Sequence, residues 1–350
     1  MARLLFILKK RDITADEKSQ AYSAYGVSSG LKNSASFVVD MLNDSGIKSY
    51  IVEVADNNAI DREVSLHKPT HVIIEAYWVV PEKFDVLQRL YPRVKWIVRN
   101  HSEIPFLANE GNAIDWTLKY IEYKNVYVAP NSERTYKDTQ SIVKTKLGKR
   151  AADKVIYLPN YYRVAEQKTK KYNVKDTINV GCFGAIRPFK NHLVQAMAAI
   201  QYAQKHNLKL RFHINVARIE NSGNNVLKNL RALFAHLSND YELIEHGWLD
   251  HNQFLDLVDQ MDIGLQVSFT ESFNIVSADF VSRGVPVIVS REIDWIPRHF
   301  WANPTDVNDI ISTMESVLFG YNLMKKSTIA MISLNAHNNK AKSCWKCNFE

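Results

Sequence analysis

Short apolar, β-branched runs recur along the chain, separated by longer stretches in which apolar residues return every three or four positions. The first pattern predicts strands and the second predicts helices. In the first half the strands fall at Ala2–Leu8, Tyr50–Val54, His71–Glu75, Lys95–Arg99 and Val126–Ala129. A long loop follows the first of them, and then a helix over Leu31–Leu42 stops near Ser45-Gly46. A second series begins after Tyr161, with strands at Ile178–Phe183, Lys209–Asn215, Tyr241–Glu245, Ile263–Val267 and Val285–Val289. Helices run from Asn191 to about His206 and near Val226–Leu237.

Strands that are apolar throughout, rather than alternating, belong in parallel sheets covered on both faces. The expected fold class is therefore α/β, with two Rossmann-like doubly wound domains facing a cleft. The N-terminal domain should span 1–162 and the C-terminal domain 177–320. A linker over 163–176 takes in the Lys-rich Gln167–Lys175, and a helix or flexible tail covers 321–350. Ligands of such folds sit at the carboxyl ends of the strands.

Composition adds limits. Of 350 residues, 46% are hydrophobic, enough for two packed cores, and only 12 glycines and 10 prolines argue against a long disordered tract. No apolar run reaches the length of a signal-peptide core or a membrane span. With Cys182, Cys344 and Cys347 as the only cysteines, no disulfide framework is expected. The default compartment is the cytoplasm, or the host cytoplasm for a viral protein. Cys344 and Cys347, with His337 nearby, look like half a zinc site without a fourth ligand, so no metal is expected.

The net charge of +7 is concentrated. Residues 119–175 hold 14 Lys and Arg against 5 Asp and Glu, and the rest of the chain nets −2. Eight tyrosines are interleaved there, among them Tyr120, Tyr136, Tyr157 and Tyr172. Cations track phosphates and aromatics stack on bases, so DNA is one partner this stretch suits, and an anionic membrane surface is another. A solvated basic face is the plainer reading. Lys144, Lys146, Lys149 and Arg150 are the candidate contacts.

The second half carries the chemistry. Gly184 is followed by Arg187 and Lys190, three residues apart and just ahead of a helix. A diphosphate needs a backbone it can approach, a cation that chelates two oxygens, and a mobile point charge; these three residues supply them. Further on, Glu271 and Asp279 lie eight residues apart across a helix start. The amides around Asn274, Ile275 and Val276 would form a phosphate-binding N-terminus. Asp279 can accept from a ribose diol and Glu271 from sugar hydroxyls. His246-Gly247-Trp248-Leu249 follows a strand, and Leu158-Pro159-Asn160 marks the domain boundary.

In order and spacing these pieces resemble the family 4 retaining glycosyltransferases of the GT-B fold, over roughly residues 1–320. The family's E-G-F-G-x₄-E-A-x₃-G-x-P-V reads here as ESFNIVSADFVSRGVPV. Ser29-Gly30 opening a helix, VAPNSERT at Val128–Thr135 and VIYLPN at Val155–Asn160 also fit. The resemblance implies transfer of a sugar from a nucleotide-diphosphate donor, a UDP-sugar by family frequency, with retention and without metal or cofactor. It implies donor contacts at Gly30, Gly184, Arg187, Lys190, His246, Trp248, Glu271, Asn274–Val276 and Asp279. His101, just past the fourth strand, would reach the reaction centre, and Glu103 the acceptor hydroxyl. Certain bacteriophage enzymes glycosylate hydroxymethylated cytosine in DNA on this fold, which makes a hydroxylated base the specific acceptor expected. A lipid or glycan at a membrane surface, or an inactive binding relative, is the alternative. No obligatory protein partner is indicated. Three departures stand out: Asp279 is one methylene short of the usual Glu, and Ser272 and Asn274 replace glycines.

Overall fold

The structure is a computed structural model, described over residues 2–10, 30–164, 176–247, 249–318 and 323–350. Strand β1 (Arg3–Lys9) shows why the first sheet forms. Leu4, Leu5, Phe6 and Ile7 are all wholly buried, yet successive side chains of a strand point to opposite faces. Both faces must therefore be covered. Leu5 and Ile7 join one core with Val72, Ile74, Trp96 and Val98, while Leu4, Phe6 and Leu8 join another with Ile73, Ile97 and Ala129.

Beside β1 lie β2 (Lys48–Val54), β3 (His71–Glu75), β4 (Lys95–Asn100) and β5 (Val126–Pro130), all parallel, in the order β2-β1-β3-β4-β5. The helices between and after them are α1 (Gly30–Asp44), α2 (Ile60–His67), α3 (Lys83–Leu90), α4 (Ile104–Leu107), α5 (Ala113–Glu122), α6 (Glu133–Leu147) and α7 (Lys149–Ala152). The second sheet has β6 (Thr177–Gly181), β7 (Lys209–Asn215), β8 (Tyr241–His246), β9 (Ile263–Gln266) and β10 (Val287–Val289), parallel in the order β10-β9-β6-β7-β8. With it go α8 (His192–Lys205), α9 (Gly223–Ala235), α10 (His251–Val258), α11 (Ile275–Ser282) and α12 (Val307–Leu318). In this core Phe280 stacks on Phe183 with centroids 5.9 Å apart. A Cβ at Gly264 would stand 2.8 Å from the Phe280 ring, so close contact requires the glycine there.

The chain divides into two compact units. The first takes residues 2–10, 30–163 and 337–350, and the second takes the described residues between 164 and 336. The stretch Gln167–Lys175, expected as linker, lies outside the described residues.

The final stretch, expected as a helix or a flexible tail, is the 27-residue helix α13 (Leu323–Phe349), and Cys344 and Cys347 lie within it. Burial holds it: Met331, Leu334, Asn338, Ala341 and Trp345 are buried at helical spacing, and Trp345 is wholly so. In the first unit, Trp345 meets Phe6 at 5.7 Å and donates from Nε1 to Pro159 O at 2.8 Å. Asn338 pairs with both backbone groups of Tyr162. Among the described residues, no helix is long and apolar enough to cross a membrane.

Candidate functional site

In the second unit the strand-end loops converge through a few buried side chains. Past β6 the chain turns at Gly184 (φ +119°), whose N–H donates to Asn215 Oδ1 of β7 at 3.2 Å. A Cβ at Gly184 would lie 3.6 Å from Lys190 Cε, so the turn and the lysine stem are in contact. Asn191, itself left-handed at φ 59°, donates to Val267 O at 3.0 Å and Pro304 O at 2.7 Å. Gln195, wholly buried, donates to Lys190 O at 2.7 Å and accepts from Val267 N at 2.7 Å. These bonds pin the Arg187–Asn191 turn against the loop after β9.

Three charged pairs result. Lys190 Nζ donates to Glu271, with both side chains largely buried. Arg187 Nη1 lies 3.3 Å from Glu220 Oε2, and Glu220 also takes Arg218 Nε at 2.6 Å. His251, the first residue of α10, holds Asp279 Oδ1 from Nε2 at 2.8 Å. Burial pulls the Lys190 ammonium below its ordinary pKa, with Arg187 adding to the shift and Glu271 opposing it. Burial also disfavours the charged form of His251, but the Asp279 carboxylate outweighs it and raises the imidazole.

Asn274 explains one departure from the glycine pattern. It adopts φ 58°, which asparagine tolerates better than most residues. Its Oδ1 caps α11 by accepting from Ser277 N at 2.8 Å, and its Nδ2 donates to Gln266 Oε1 at 2.9 Å. The amides of Ile275 and Val276 open the helix ahead of that cap.

His192, Ser268, Thr270, Ser277 and Ser290 hold buried polar atoms with no hydrogen-bond partner among the described residues. His192 opens α8, Ser268 and Thr270 follow β9, Ser290 follows β10, and Ser277 is in the first turn of α11. Native interiors leave few such atoms. Here they fall at the carboxyl ends of β9 and β10 and at the starts of α8 and α11, the end of the sheet where doubly wound folds receive ligands. Burial, with Lys190 and Arg187 adding to it, lowers His192 to about 3, so its ring is neutral.

His246 is placed at the end of β8, where its Nε2 meets His213 Nδ1 at 2.9 Å with the rings nearly parallel. Burial lowers both, and His213 falls to about 4. Trp248 lies outside the described residues.

The first unit holds a separate polar cluster. Glu75 and Arg99 are wholly buried and paired, Nη1 to Oε1 at 3.1 Å. Arg99 also donates to Asn160 Oδ1 at 2.6 Å and Leu158 O at 3.1 Å, and stacks over Trp345 at 5.2 Å. His101 Nε2 bonds the other Glu75 oxygen, and Asn131 Nδ2 lies 3.4 Å from His101 Nδ1. These partners put the imidazole proton on Nε2 and leave Nδ1 as the acceptor. Burial lowers His101 despite Glu75. Burial alone would raise Glu75, yet Arg99 and His101 hold it below its ordinary value. The cluster is thus one anion, one cation and a neutral imidazole.

Glu103, the N-cap of α4, is buried and accepts from Thr135 Oγ1 at 2.6 Å, tying α4 to α6. Gly30 opens α1, and Ser29 lies outside the described residues. Lys144, Lys146, Lys149 and Arg150 are exposed at the end of α6 and in α7.

The sequence patterns single out Arg187, Lys190, Glu271, Asp279 and His101, but not Glu75, Arg99, Asn131, His192, Gln195, His213, Glu220 or His251. A usable signal existed for Glu75 and Arg99: each is a charged residue at the end of an otherwise apolar strand.

No family model matches the chain, and no curated protein sequence does. Solved structures are similar over 99% of its length. They include a UDP-forming trehalose-phosphate synthase from Burkholderia xenovorans (TM-score 0.68, 10% identity, 98% of that chain). Anabaena HepE in complex with UDP is similar at TM-score 0.63 and 14% identity over 100% of that chain. A sucrose-phosphate synthase from Thermosynechococcus elongatus is similar at TM-score 0.64 and 12% identity over 96% of that chain. The chain has their fold, the GT-B architecture of two Rossmann-like units, each with a parallel five-stranded sheet.

Proposed function

We propose that this chain is a retaining glycosyltransferase that takes a sugar from a UDP-sugar. The observation that carries the reading is the cluster in the second unit. Two cations stand beside the Gly184 turn, a carboxylate is poised on one of them, and buried polar atoms without partners among the described residues lie at the neighbouring strand ends and helix starts. The names of the structural neighbours, one UDP-forming and one bound to UDP, support the donor class.

In this reading the diphosphate displaces the carboxylates from Arg187 and Lys190. Charge that builds on the leaving diphosphate meets preorganised cations and the amides of Ile275 and Val276. Glu271, released from Lys190, accepts from the sugar hydroxyls, and Asp279 takes the ribose. The acceptor attacks from the face the diphosphate leaves, with the diphosphate helping to remove its proton. Proton NMR of the product from a UDP-sugar tests this: the product should keep the donor's anomeric configuration, and activity should survive a chelator. An inverted product would overturn the mechanism.

For the acceptor we propose DNA carrying a hydroxylated base, supported by the exposed cations Lys144, Lys146, Lys149 and Arg150. Cations at helix C-termini also offset the helix dipole, so salt dependence is the discriminating measurement. Labelled duplex should bind with a log–log salt slope of about −0.9 per phosphate contact, and replacing the four cations should flatten it. If anionic vesicles bind at low salt and DNA does not, the acceptor is a lipid.

A further inference from the structure

We propose that His251 is a positioning residue for the nucleotide: it orients the Asp279 carboxylate that receives the ribose hydroxyls. The inference rests on the donor reading above and adds to it a residue on a different helix.

Asp279 sits one turn inside α11 with its side chain only 3% exposed, and His251 is 22% exposed. A carboxylate that deep loses most of its hydration and needs a partner to remain ionised. His251 Nε2 at 2.8 Å is such a partner. A carboxylate offers about four acceptor positions, and the bond to imidazole helps to fix its rotation toward a vicinal diol.

The placement of the imidazole is itself held. Asp250 and Gln253 form a reciprocal cap at the start of α10, Asp250 Oδ1 accepting from Gln253 N at 2.9 Å and Gln253 Oε1 from Asp250 N at 3.1 Å. At the far end of the same helix Arg283, the C-cap of α11, donates from Nε to Asp259 Oδ1 at 2.7 Å. The cap fixes the start of α10, and the Arg283–Asp259 pair joins its end to the end of α11, so both hold the His251 ring beside Asp279. Without the imidazole, the Asp279 carboxylate loses a bond that sets its rotation, and its aim at the ribose is relaxed.

The test is discrimination between ribose and deoxyribose. Calorimetry with UDP, ADP and GDP and their 2′-deoxy counterparts identifies the preferred base and gives the ratio of affinities. The wild-type protein should prefer the ribonucleotide at least tenfold. His251→Ala should bring that ratio close to one while the 2′-deoxy nucleotide, held through its phosphates, keeps its affinity within about threefold. His251→Gln, which retains an N–H donor, should restore most of the ratio. Thermal unfolding of each variant, followed by circular dichroism, reads any strut role separately. If His251→Ala is folded and discriminates as well as wild type, the inference is overturned and the donor reading stands. If the wild-type protein binds none of the six nucleotides, both fall.

Discussion

Lys190→Ala should weaken nucleoside diphosphate binding by about 1.5–3 kcal/mol, the usual loss for a hydrogen bond to a charged group, or roughly tenfold to 150-fold in Kd. The size of the effect follows from where the ammonium sits. Its side chain is 12% exposed and Glu271 is 8% exposed, so the pair lies in a medium that screens charge poorly. A diphosphate brings more negative charge to that position than the single carboxylate it displaces. Removing the lysine also leaves Glu271 buried without its cation, which repels an incoming anion. Arg187→Ala should act in the same direction but more weakly, because its guanidinium is engaged by Glu220, and Arg218, bound to the same carboxylate, remains nearby. Calorimetry on both variants measures this, and unchanged affinity in both removes the phosphate assignment.

The second large effect is on stability. Replacing either Glu75 or Arg99 by alanine should cost about 3–5 kcal/mol, because each leaves the other charge buried and uncompensated. Replacing both should cost less than the sum of the two singles, a difference that a double-mutant cycle in urea would read. Acid should act on the same cluster. Glu75 is held below its unfolded value, so it contributes stability above about pH 4.3 that is lost as pH falls through its folded pKa. His101 is also lowered, so the unfolded chain binds its proton first. Stability should therefore already begin to fall below about pH 6.5, His192 and His213 adding to the slope. A midpoint in urea that does not change between pH 7 and pH 5 would contradict the neutral assignment of these rings.

Much of the fold was legible because strands such as β1, β3 and β10 are nearly continuous apolar runs, and apolar runs of that length have few other uses. Arg187, Lys190 and Glu271 were legible as well, since glycine, cations and carboxylates at fixed offsets are a local pattern. What the sequence hid were partners made by topology. Glu75 and Arg99 meet because β3 and β4 are neighbours in register, and Asn160 joins them across 61 residues of chain. Glu220 reaches Arg187 across 33 residues, and His251 reaches Asp279 across 28. No local spacing announces such pairs. The final helix could not be separated from a tail for a different reason: its buried stripe passes through Asn338, whose amide is satisfied by the backbone of Tyr162, so the apolar period reads as interrupted.

The placement of Trp345 also sets an order of events during synthesis. Residues 337–350 belong to the first unit, yet they leave the ribosome after the whole described stretch between 164 and 336. The bond from Trp345 to Pro159 spans 186 residues. Until it forms, the face of the first sheet that carries Phe6 lacks the indole that packs on it. The later-made unit can finish folding while the earlier-made one still waits for its cover. A nascent chain halted before residue 337 would therefore present an apolar sheet face to chaperones and to other copies of itself.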